Sequence, residues 1–184
     1  MVTYLALIDN CDTPCYAVRM EWFGGMLVFQ VGDKVVYPMH GAGVIEAIEE
    51  RVVLGKTKRY YILRLPYGEM QIMVPTDVAG GVLRQVIDEE GVKRVQDILQ
   101  GTKSKMSTNW NRRYRANLEK IKSGDVYEVA EVVRNLAQRE REKGLSTGER
   151  KMLDNARQIL LSELVLAQGM NHAAASSWLD QILA

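Results

Sequence analysis

The sequence predicts a two-domain β plus all-α protein: a small, strongly bent β-barrel followed by a compact helical bundle. Three observations carry this expectation. From Met26 to Val74 the apolar runs are short and cut by glycine, proline and charged residues. After Pro75 apolar residues recur every three or four positions to the end of the chain. Polar residues suited to helix capping punctuate that second half at Asn109, Asp125 and Ser146.

The β half divides into five short runs. Leu27-Val28-Phe29 leads into Val31-Gly32-Asp33, Lys34-Val35-Val36-Tyr37 stops at Pro38, and Gly41 to Ile48 resumes after a turn. Glu50 to Leu54 meets a hairpin connection at Gly55-Lys56-Thr57-Lys58, and Arg59 to Leu65 is the clearest strand. Met70 to Val74 follows the turn at Pro66-Tyr67-Gly68-Glu69. Because side chains alternate between faces of a strand, Tyr60 and Tyr61 cannot both point into one core, and one is expected to be exposed or covered by another surface.

In the helical half, Thr76 or Asp77 begins a short segment through Val86, and Glu89 to Leu99 carries Val92, Val95, Ile98 and Leu99 on one face. Gly101 to Thr108 is the clearest break. Asn109 caps a helix to Ile121 or Lys122, and Ser123-Gly124-Asp125 ends that helix and caps the next. Ser146 with Glu149 fits a capping box before a long apolar stripe, and a last helix holds Trp178 on its core side. The expected organisation is an N-terminal extension over residues 1–25, a β domain over 26–76 and a helical domain over 77–184. The extension is expected to be mobile or to lie upstream of a second candidate start at Met26, with a short packed arm as the alternative.

Charge distribution says more than the net charge of +1. From Lys103 to Lys122 there are seven Lys or Arg and one acid, Glu119, whereas residues 26–90 and 123–184 are each slightly acidic. A local basic patch on a neutral body positions nucleic acid without dominating affinity, so weak binding that needs a partner is expected. No apolar run reaches the ~18 residues needed to span a bilayer. Cys11 and Cys15 stand apart from any histidine in sequence, and a reducing cytoplasm is the natural compartment.

Reactive groups do not converge in the sequence. His40 and His172 are the only histidines and neither has a cysteine beside it. Gly41-x-Gly43 lacks the third glycine of a dinucleotide loop, and GxxxxGK is absent. No catalytic residue, metal site or cofactor is expected.

Asn109-Trp110-Asn111-Arg112-Arg113-Tyr114-Arg115 is the segment most suited to a ligand, because guanidiniums neutralise phosphates while an indole stacks on bases or wedges between them. Spacing puts Trp110, Tyr114, Asn117, Leu118 and Ile121 on one side of the helix, so Trp110 is either a core residue or a ring projecting past the domain edge. Arg112 and Arg115 lie one turn apart, Arg113 is displaced around the helix, and Lys103 and Lys105 sit in the adjoining loop. Nothing here spells a base code; recognition of DNA shape or opening is expected instead.

Several longer motifs accompany that segment: Val31 to Pro38 with His40-Gly41, Val74-Pro75, Asn109 to Lys120, Ser123-Gly124-Asp125, Val129 to Arg134, and Leu145-Ser146 through Glu149 with Met152-Leu153 and Ala156 to Leu160. On these residues the chain, from about Met26 to its C-terminus, resembles the CarD/CdnL family of bacterial transcription regulators. The resemblance implies a Tudor-like (SH3-like) domain docking on the RNA polymerase beta subunit. It also implies a helical domain at promoter DNA beside the upstream edge of the transcription bubble, where it stabilises the open promoter complex without catalysis. By the same resemblance Trp110 is a minor-groove wedge and Arg112, Arg113 and Arg115 lie near the DNA backbone. Arg51 falls on a polymerase-contacting basic position, Met73 stands where a second basic residue is expected, and Arg59 and Arg64 are candidates to supplement them. A monomer is expected, cytoplasmic and nucleoid-associated through polymerase. The alternatives are a protein-only adaptor of polymerase or a repair factor, in which Trp110 is structural, and an autonomous DNA-binding repressor.

Overall fold

The structure is a computed structural model that describes residues 22–23, 26–27, 29–53, 55–66 and 70–183. Of the expected extension over 1–25, only Trp22–Phe23 falls within the described residues; it forms β1, which pairs antiparallel with β2 (Met26–Leu27).

The main sheet contains β3 (Lys34–Tyr37), β4 (Gly41–Val53), β5 (Lys56–Arg64), β6 (Gln71–Pro75) and β7 (Arg84–Gln85), in the order β6-β5-β4-β3-β7. All neighbours are antiparallel, and among the described residues the sheet is open, with β6 and β7 as edges. Residues 41–53 form one continuous strand rather than two. The register shifts between Ile45 and Ala47, leaving Glu46 as an extra residue, and such a bulge increases local bend and twist.

The fifth strand of this sheet comes from a stretch expected to be helical. α1 (Thr76–Val82) ends early, after Gly80-Gly81 has weakened its helix preference, and the extended backbone at Leu83 carries the chain back to pair with β3. Ala79 and Leu83 therefore pack in the sheet's core with Phe29, Val35, Ile45, Tyr61, Leu63 and Val74. Tyr61 sets its ring edge-on to Phe29, at 6.1 Å, and its hydroxyl accepts from the Phe29 amide. Of the two alternatives for the second tyrosine, exposed or covered, the structure shows the covered one. Alternation places Tyr60 on the opposite face, yet only 8 % of it is exposed.

The bundle core is built from α2 (Glu89–Gln100), α3 (Trp110–Lys122), α4 (Val126–Lys143), α5 (Thr147–Gln168) and α6 (His172–Leu183). Its helix starts follow the caps expected from sequence: Asn109 accepts from the Arg112 amide, Asp125 from the Tyr127 amide, and Ser146 and Glu149 form a reciprocal capping box. Trp178 is half-buried against this core.

Candidate nucleic-acid interface and docking face

Trp110 is the first residue of α3, and its indole is neither buried in the core nor free in solvent. It remains 44 % exposed while stacking on Tyr114, with ring centroids 5.2 Å apart and planes at 26°. Its Nε1 donates to the Ser146 hydroxyl at 3.0 Å. The two rings lie over the first turn of α5, where a Cβ on Gly148 would stand 3.6 Å from the indole and 3.7 Å from Tyr114. An aromatic shelf is therefore held, partly exposed, at the start of a helix, the end whose dipole favours anions.

The shelf rests on a buried carboxylate. Glu149 accepts from Arg113 Nε at 2.6 Å and from the Ser146 amide and hydroxyl at 3.2 and 2.9 Å, with Arg139 Nε a further 3.7 Å away. Burial pushes the Glu149 carboxyl up, but Arg113, the Ser146 amide and the Ser146 hydroxyl together hold it below the usual carboxylate value. The Ser146 hydroxyl thus does three things: it caps α5, donates to Glu149 and anchors the indole. Ser146→Ala is expected to cost about 1 kcal/mol through the lost cap. It is also expected to loosen the indole, raising the mobility of Trp110 fluorescence in a variant with Trp22 and Trp178 changed to phenylalanine.

The basic residues of this region divide by environment. Arg112 and Arg115 are exposed on α3, Lys105 is exposed in the preceding loop, and none of the three forms an ion pair among the described residues. Lys103 is instead paired with Glu142. Arg113, expected near the DNA backbone, is a correction: it is 4 % exposed and its guanidinium is spent on Glu149 and on the carbonyls of Ser107 and Thr108. The inward line of α3 is Arg113, Asn117 and Ile121, spaced four apart, while Tyr114 and Leu118 are half-buried beside it. Spacing placed Asn117 and Ile121 on the inward side, but the charge of Arg113 hid the first member of this line from a reading of apolar spacing.

On the sheet, directly paired residues share a face, so Arg51 opposite Lys58, Glu49 opposite Tyr60, and Ile62 opposite Met73 lie on one side. Alternation adds Arg64. The structure thereby brings Arg51, Arg64 and Met73 to one face, with Met73 56 % exposed, and places Arg59, opposite Glu50, on the other. Acids next in line temper both arginines: Glu49 bonds Arg51 at 2.5 Å and Glu46 bonds Arg64 at 3.1 Å. Nothing in the sequence pattern distinguished these acids from ordinary strand charge.

Of the residues considered for chemistry, His40 is exposed and stacks on Tyr37. Cys11 and Cys15 lie outside the described residues. Among the described residues no three His, Cys, Asp or Glu are grouped to hold a metal ion, and no helix is long and apolar enough to cross a membrane.

Fold and site together define a β-plus-α protein in which a small sheet with an arginine- and methionine-bearing face is joined to a helical bundle displaying an indole among cations. Residues 29–87 match the CarD-like/TRCF RID domain, and residues 94–180 match the CarD C-terminal domain. The chain is also 42 % identical over 152 residues to the candidate transcription factor YdeB of Bacillus subtilis (strain 168), a match covering 82 % of this chain and 99 % of that protein. The chain belongs to the CarD/CdnL family, a family of transcription regulators.

Proposed function

We propose that the protein docks on the RNA polymerase beta subunit and stabilises the open promoter complex by holding Trp110 against DNA at the upstream edge of the bubble. The observation that carries this reading is the indole's placement. A large ring left 44 % exposed at a helix start, yet fixed by a stacked tyrosine and a serine hydroxyl, has its ordering cost met before it binds. Such a ring suits a minor-groove wedge.

Arg112, Arg115 and Lys105 supply the phosphate contacts in this proposal; Arg113 holds the shelf. Three unpaired cations give a modest, salt-sensitive affinity, so the helical domain depends on delivery by the sheet. The open, bulged sheet takes the role of the Tudor-like unit, and its contact face is the side bearing Arg51 and Met73, with Arg64 at its edge. Relative to a face with two cations, Met73 makes the contact more apolar and less sensitive to salt.

The test is the lifetime of open complexes challenged with competitor DNA, measured beside direct binding to polymerase. Arg51→Glu places a new acid beside Glu49 and is expected to weaken polymerase binding by roughly tenfold or more, as truncated or reversed interface charges do. It is expected to abolish the lifetime gain at protein concentrations that saturate with the parent. Unchanged polymerase binding by Arg51→Glu would reject this docking face.

A further inference from the structure

The motif Tyr37-Pro38-Met39-His40-Gly41 belongs to neither proposed contact surface, and the structure places it between the sheet and the bundle. Met39 is the non-glycine residue with positive φ, +66°, among the described residues. Gly41, at φ +96°, lies so close to α5 that a Cβ there would collide with the Ser162 side chain. The next amide, that of Ala42, donates to the Ser162 hydroxyl at 2.8 Å, and that hydroxyl donates to the Ile159 carbonyl at 2.7 Å. Pro38 meets the bundle at Gly124, between α3 and α4, where a Cβ would stand 2.9 Å from the proline ring.

A second set of bonds closes the same junction. Arg84 on β7 grips Glu163 on α5 with two parallel bonds, Nη1 to Oε1 at 2.5 Å and Nη2 to Oε2 at 2.7 Å. Its Nε donates to the Gly124 carbonyl, and Glu163 also accepts from the Ile87 amide. One guanidinium therefore ties the edge strand to α5 and to the turn between α3 and α4. The Glu163 side chain is 1 % exposed. Lys34, on β3, adds a bond to the Leu166 carbonyl at 2.8 Å.

A buried ion pair contributes little more than an apolar pair of similar volume, but a two-pronged pair accepts only one geometry. We infer that the Arg84–Glu163 pair and the Tyr37–Gly41 turn lock the sheet and bundle into one rigid body, making Arg84 and Glu163 positioning residues for Trp110. They fix how far the indole stands from the face bearing Arg51 and Met73. The positioning role rests on the proposed docking and wedge; the rigidity does not. Two weak contacts held at the correct separation reinforce each other through effective concentration, and a loose joint forfeits that gain.

The experiment uses the full chain with Cys11 and Cys15 changed to serine and spin labels at Lys56→Cys and Lys143→Cys, both exposed positions on opposite domains. Pulsed electron-spin measurement is expected to give one narrow inter-domain distance in the parent. Arg84→Met combined with Glu163→Leu keeps apolar volume in the junction and is expected to broaden that distribution. The same pair of changes should leave polymerase binding intact and shorten the open-complex lifetime by roughly tenfold. A distribution that stays narrow overturns the lock, whatever the transcription assay shows. A broadened distribution with an unchanged lifetime overturns the positioning role. Should the double variant fail to fold, Arg84→Lys, which keeps the charge but loses the fork, is expected to broaden the distance in part; an unchanged width in that variant also overturns the lock. A parent protein that does not lengthen open-complex lifetime would count against the proposed function and leave the distance result standing.

Discussion

Arg113→Ala is expected to destabilise the protein by about 3–5 kcal/mol, the cost of removing one member of a buried ion pair. Arg113 and Glu149 side chains are 3 % and 2 % exposed, so water does not replace the lost partner, and the Ser107 and Thr108 carbonyls lose their donor as well. Arg139, 3.7 Å from the carboxylate, offsets part of the loss without the aligned bond. Urea denaturation at neutral pH measures the difference. Because a typical domain is stable by about 5–15 kcal/mol, Arg113→Ala takes a large share of the total and a less drastic Arg113→Lys belongs beside it. A loss below about 1 kcal/mol would show that the pair is no more valuable than an exposed one.

The same pair gives the stability a definite pH dependence. Glu149 is held below its ordinary value in the folded protein, so its contribution is complete above the unfolded carboxylate value of about 4.3. It is lost as pH falls further, through the lower folded value. The parent should therefore lose stability on acidification below that point more steeply than Arg113→Ala, in which the carboxylate has no strong partner to lose.

How much of this was legible in the sequence depended on whether the deciding force was local. Asn109, Asp125 and Ser146 were readable as caps because a side-chain oxygen two or three residues from an orphan amide acts within one turn. The two-residue strand at Arg84–Gln85 was not, because two residues have no period, and only its pairing with β3 makes it a strand. The inward position of Arg113 escaped for a different reason, whereas spacing had placed Asn117 on the inward side. Apolar spacing assumes that polar side chains face water, and the carboxylate that admits Arg113 lies 36 residues away. Tyr60 illustrates the same limit on the sheet: alternation gave its face correctly, but burial on that face depends on tertiary neighbours. At the candidate site, sequence identified Trp110 and its flanking cations, and the structure decided which cations are available. The long motif around Trp110 encodes the support of the ring as much as the ring itself.

Trp110→Ala is expected to shorten the open-complex lifetime by about tenfold or more while leaving polymerase binding unchanged. Stacking of an aromatic on a base contributes ~1–3 kcal/mol, and each 1.4 kcal/mol is a factor of ten. The protein itself should survive the change. The indole is 44 % exposed and its stacking on Tyr114 is worth about 0.5–1.5 kcal/mol, so the helical signal and cooperative unfolding should persist. Trp110→Phe separates two contributions: it keeps a stacking face but cannot donate to Ser146, so the ring loses its tether. An intermediate lifetime in the phenylalanine variant would show that both the face and its anchoring matter. If Trp110→Ala remains folded, binds polymerase and supports the parent lifetime, the ring is not the wedge, and the protein acts through protein contacts alone.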